Sequence, residues 1–230
     1  RKGMLLFLVV FPFFPDKKRG EDQMIENMLT KLNRIGDWVF RLAYINTLWL
    51  LFSFIGLVFL GVFPATSSMF TILRKWQAGE EVSVFQTFKE TYQKEFVTAN
   101  KIGWIFVLLG LFLVLDFYYL GAMEGTLFTI ILFLLLPFAF IYISMLIYIF
   151  PVMANVRLST IDYLKYAFIV SLSFPHFTVL SILGTLTIVV LFISFPLLIT
   201  FLCVSAFGLL NMSISRWIFK RIEKRELSIS

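Results

Sequence analysis

The sequence predicts an all-α membrane protein: a bundle of five long spanning helices, with one short helix after Pro64 that either re-enters the bilayer or makes a sixth crossing. Three observations lead there. The 230 residues are 60% hydrophobic and 15% charged, with a mean hydropathy of +0.90, well away from the composition of water-soluble domains. The apolar residues gather in long runs without charge. Basic residues, 20 Lys and Arg against 14 Asp and Glu for a net charge of +6, sit beside those runs, which is positive-inside anchoring and no sign of a nucleic-acid surface.

A helix needs about 20 apolar residues to cross roughly 30 Å of hydrocarbon, because only internal hydrogen bonding satisfies its backbone there. Residues 42–73 carry no charge, 102–123 carry only Asp116, 125–156 carry none, and 166–215 carry no formal charge. The last run holds two helices, divided at Phe195-Pro196, since proline removes a donor and disfavours helix just before it. The expected spans are 42–63, 103–122, 127–150, 177–195 and 197–215. Within the first run, Gly61-Val62-Phe63-Pro64 reads as a turn and Pro64-Ala65-Thr66 as a fresh helix start, giving a short helix over 64–76.

Arg216, Lys220, Arg221, Lys224 and Arg225 crowd the C-terminal tail, so the positive-inside rule makes it cytoplasmic. Alternation then puts the 74–102 and 151–176 segments inside and the 121–126 turn, with Glu124 and no cation, outside. Lys31, Arg34 and Arg41 ask for an inside N-terminus as well, which requires 42–73 to cross twice or return as a hairpin. Two cytoplasmic amphipathic helices are expected. One, near 83–98, repeats Phe85, Phe88, Tyr92 and Phe96 at helical spacing; the other, near 159–170, opens on the capping box Ser159-Thr160-Ile161-Asp162.

The opening residues fit this plan poorly. Residues 4–14 form an apolar stretch too short to span, and Lys18-Arg19-Gly20-Glu21 is compatible with a purine-rich ribosome-pairing codon run just ahead of Met24. Residues 1–23 are therefore expected to be translated leader or a disordered extension, with residues 24–230 as one membrane domain.

From Lys31 onward the order of features resembles the YesL family of bacterial membrane proteins, also called domain of unknown function 624. The likeness rests on Leu32-Asn33-Arg34-Ile35-Gly36-Asp37, Ile45-Asn46-Thr47-Leu48-Trp49-Leu50, Gly61-Val62-Phe63-Pro64-Ala65-Thr66, Leu115-Asp116-Phe117-Tyr118-Tyr119, Phe150-Pro151 and Trp217-Ile218-Phe219-Lys220-Arg221. The family has no established activity or catalytic residues to carry over. Its members are often encoded beside carbohydrate uptake systems and polysaccharide-degrading enzymes, so the resemblance implies a non-enzymatic accessory or regulatory role in carbohydrate uptake, with a component of the uptake system as a partner.

Few residues stand out chemically. Asp116 is the one acid inside an expected span, a position that is costly enough to suggest function; its place near the outer end, beside Tyr118 and Tyr119, fits an interfacial anchor better. Asn46 and Trp49 near the inner end of the first span fit either a headgroup or solute contact or a helix-to-helix hydrogen bond. One His and one Cys, His176 and Cys203, leave no material for a disulfide framework or a Cys/His zinc centre. No cofactor, metal or catalytic motif is expected, and membrane lipids are the expected surroundings. A small-solute transporter is the alternative reading, requiring polar groups converging at mid-membrane; a membrane-embedded enzyme acting on lipid or glycan is the third, requiring a cluster of acids or metal ligands at one depth.

Overall fold

A computed structural model describes residues 17–194 and 196–227, all of its regular structure helical. Residues 1–16, with the apolar run of the expected leader, lie outside the described residues. The chain divides into two units, Arg1–Arg41 and Leu42–Ser230. Helix α1 (Lys17–Ile55) is followed by α2 (Val62–Ala78), α3 (Val84–Leu120), α4 (Thr126–Asn155), α5 (Thr160–Ser173), α6 (Pro175–Ser194) and α7 (Pro196–Leu227). Among the described residues, five stretches are long and apolar enough to cross a membrane: Gly36–Ile55, Val84–Leu120, Thr126–Asn155, Pro175–Ser194 and Phe201–Lys224.

Local chemistry explains most of the boundaries. Gly79, at φ +81°, closes α2 in the left-handed conformation that glycine adopts without strain, its N–H reaching the Trp76 carbonyl while Glu80 N–H reaches that of Lys75. Ser159 caps α5: its Oγ accepts from the Asp162 N–H at 3.3 Å and donates to Asp162 Oδ2 at 2.6 Å. Lys165 adds a 3.4 Å ion pair to the same carboxylate. These hydrogen bonds, first that from Ser159 and then that from Lys165, hold the Asp162 carboxyl below its ordinary value. Prolines 175 and 196 open α6 and α7, where a missing N–H costs nothing.

Three expectations need correction. The break in the first apolar run falls at 56–61, before the expected Gly61–Pro64 turn, so the expected 42–63 span ends as helix at Ile55 and Pro64 lies in the first turn of α2. The expected amphipathic helix 83–98 and span 103–122 are one 37-residue helix, α3; nothing between them breaks a helix, and Asn100 returns its amide to the Phe96 carbonyl at 2.8 Å. The expected spans 127–150 and 197–215 continue as helix to Asn155 and Leu227, through Pro151 in the first case and along the basic tail in the second.

The core of the second unit forms around α2. Its Pro64, Ala65, Ser67, Ser68, Met69, Phe70, Ile72 and Leu73 are buried between α3, α4 and α7, with Ile45, Leu48 and Phe52 of α1 in the same cluster. Phe70 stacks on Phe150 with centroids 6.0 Å apart, and Gly208 lets α7 approach Met69 and Leu73. By contrast, the far halves of α3 and α4 expose Leu108, Phe112, Val114, Phe133 and Leu134, an apolar surface suited to acyl chains and not to water.

Candidate functional site

Where α2 ends, α3 begins and α4 ends, three helix termini enclose a polar cleft of about 330 Å³. Thr71, Arg74 and Lys75 line it from α2, Thr87, Glu90, Thr91, Lys94 and Glu95 from α3, and Met153 through Arg157 from the end of α4. The sequence places charge here because each of these segments leaves the apolar zone: the charge-free runs of α2 and α4 give out at Leu73 and Val156, and α3 has not yet entered its run at Ile102. Four cations face two carboxylates in the cleft. Glu90 receives an amide hydrogen bond from Gln86 at 3.0 Å, and Arg74 is held loosely, with Glu80 Oε1 3.9 Å from its Nη2. A cleft with excess guanidinium and ammonium groups and three threonine hydroxyls is suited to an anionic group or an acidic protein segment.

The residues singled out in the sequence lie elsewhere. Asp116 lines a different cleft, about 400 Å³ and almost wholly apolar, between α3 and α4 with Phe106, Phe112, Leu135, Phe138 and Tyr142. It lies 22 residues along α3 from Lys94, about 33 Å by helical rise, so the two cannot serve one ligand. Asn46 and Trp49 come together on one face of α1: Asn46 is buried, and Trp49 Nε1 donates to Thr66 Oγ1 at 2.9 Å. That bond joins α1 to α2, the structural alternative for Trp49.

A second polar feature had no signal in sequence beyond scattered hydroxyls. On α6, Thr178, Ser181 and Thr185 share a face; on α7, Asn211 and Ser215 share one; on α4, Ser144 and Tyr148 share one. Thr178 donates to Tyr148 Oη at 3.2 Å, Ile218 packs with Tyr148 one turn beyond Ser215, and Gly184 abuts Leu210. These contacts converge the three faces inside the bundle. Thr178, Ser181 and Asn211 are fully buried, and Ser181 Oγ, Thr185 Oγ1, Asn211 Oδ1 and Ser215 Oγ make no hydrogen bond among the described residues.

Fold and surface together define a polytopic, all-helical membrane protein with a charged cleft at one end. A family model described as "Protein of unknown function, DUF624" matches residues 42–117. The chain is 32% identical over 205 residues to "Uncharacterized protein YesL" of Bacillus subtilis (strain 168), covering 88% of this chain and 96% of that protein. It is 29% identical over 200 residues to "Uncharacterized protein YteU" of the same organism, covering 86% and 90%, and 32% identical over 186 residues to "Uncharacterized protein YesV", covering 80% and 89%. The chain belongs to the YesL, or DUF624, family. No solved structure matches it.

Proposed function

We propose that this protein is a non-enzymatic accessory or regulatory protein of the cell membrane that acts with a carbohydrate uptake system, its C-terminus and charged cleft facing the cytoplasm. The orientation follows from the positive-inside rule applied to the tail cations and to Arg74, Lys75, Lys94 and Arg157. One observation carries the reading: the 74–102 and 151–176 segments, which the charge pattern makes cytoplasmic, build one cleft between them, where an acidic segment of an uptake component would seat. The association with carbohydrate uptake comes from the family resemblance.

The test is a double charge reversal, Lys94→Glu with Arg157→Glu, both exposed and outside the core. Growth on the oligosaccharides that depend on the protein should fail while its amount in the membrane stays normal. Unchanged growth at normal abundance removes the cleft from the mechanism. The transporter reading keeps a foothold in the α4–α6–α7 junction, where oxygens without partners among the described residues supply buried polarity inside the bundle, from the inner ends of α6 and α7 inward. Sugar uptake by the purified protein in liposomes, lost in Asn211→Leu, would establish that reading in place of the first.

A further inference from the structure

We infer that residues 42–78 form a membrane hairpin that approaches the bilayer from the same side as the C-terminal tail and turns back without crossing, its tip at 56–61 set at the acyl-chain boundary of that leaflet.

The tip is built for hydrocarbon. Gly56-Leu57-Val58-Phe59-Leu60-Gly61 contains no polar side chain, and Leu57 and Phe59 are 77% and 73% exposed. A turn in water leaves backbone groups to the solvent, whereas in lipid each must find a partner within the protein. Here every N–H from Gly56 to Val62 donates to a carbonyl of the same turn or its flanking helix ends: those of Phe52, Phe54, Ser53, Leu57, Gly56 and, twice, Val58. Completing this closed pattern takes left-handed backbone at Leu57 (φ +56°) and at β-branched Val58 (φ +61°), conformations such residues rarely adopt. The helices cross closely enough that a Cβ on Gly56 would meet Gly61, and one on Gly61 would meet Ser53.

Its depth is fixed by α3. Tyr92 Oη donates to the Phe52 carbonyl at 3.1 Å, and Asn100 Nδ2 to the Leu60 carbonyl at 2.9 Å. The far end of α3, at Leu120, lies 20 residues beyond Asn100, about 30 Å away by helical rise and so about a full hydrocarbon thickness. The tip therefore stops on the near side. Hydropathy marks Gly36–Ile55 as a crossing, but its last turns lie beside Tyr92, in the charged half of α3. The return arm α2 ends at Arg74, Lys75 and the charged cleft, so both arms share the basic side. Leu60 of the tip borders an open groove with Val97 and Trp104 of α3, where the exposed apolar surface of α3 begins, and acyl chains are the occupant continuous with that surface.

The test uses the full chain in vesicles of phosphatidylethanolamine and phosphatidylglycerol, with Cys203→Ser as background. Single cysteines replace Phe59, exposed Glu124 in the α3–α4 turn, exposed Lys220 in the basic tail, and Leu111, 54% exposed at mid-α3. An impermeant maleimide should label 124 and 220 from opposite faces and 59 from neither. A nitroxide at 59 should collide more with oxygen than with a nickel chelate, and read shallower than one at 111. Labelling of 59 from the face that labels 124 would show a crossing; dominant nickel collisions would put the tip in water; dipolar coupling between labels at 59 would put a second copy of the chain there. Each overturns the inference. A cysteine at Leu60 repeats the reading independently.

Discussion

The indole Nε1 of Trp49 donates to the hydroxyl of Thr66 at 2.9 Å, and that hydroxyl donates onward to the Val62 carbonyl at 2.7 Å. A single relay thus links the two arms of the hairpin across the tip. Thr66→Val keeps the shape, leaves the indole without its acceptor, and should cost about 1 kcal/mol. Unfolding in mixed detergent micelles, run as a double-mutant cycle with Trp49→Phe, measures it; an interaction energy near zero would assign the pair no joint role.

Gly61→Ala should be more damaging. The added methyl meets the Ser53 carbonyl and Cα, backbone atoms that cannot rotate aside, and overpacking of this kind costs about 1–3 kcal/mol. Gly121→Ala is the control: φ there is −63° and the nearest atom to a Cβ is the Tyr118 carbonyl at 3.4 Å. The unfolding midpoint should fall in the first variant and hold in the second.

The cap of α5 should be sensitive to acid. Asp162 has a folded-state pKa held below its ordinary value of 3.8, so its contribution to stability is present above that value and is lost as pH falls through the depressed one. Amide exchange at the start of α5 should therefore be protected at neutral pH and accelerate only in strong acid. Ser159→Ala, which removes the leading cause of the shift, should move that transition upward and weaken the cap by about 1 kcal/mol.

Asp116→Asn preserves shape and removes charge. With Asp116 set in an apolar cleft far from the charged one, the expected result is unchanged abundance and unchanged sugar-dependent growth. Loss of growth at normal abundance would give this carboxylate a transport role and favour the transporter reading.

Much of the architecture was legible because its causes are local. Long runs without charge become helices wherever they occur, and proline at 196, glycine at 79 and the Ser159–Asp162 box mark boundaries through φ restriction and capping within a few residues. The charge-free run 42–73 announced a break by the same logic. Its position and depth needed the tertiary structure. Tyr92 and Asn100 read as members of an ordinary amphipathic helix, yet each reaches a carbonyl 40 residues away and decides how far the hairpin extends. The charged cleft was likewise invisible as a unit, since it joins segments separated by some sixty residues, and Asp116, conspicuous in a linear reading, has only apolar and tyrosine neighbours in its cleft. Hydropathy and capping are sums over neighbours in sequence; depth in the bilayer and the assembly of a site are set by contacts between helices, which no single run of residues encodes.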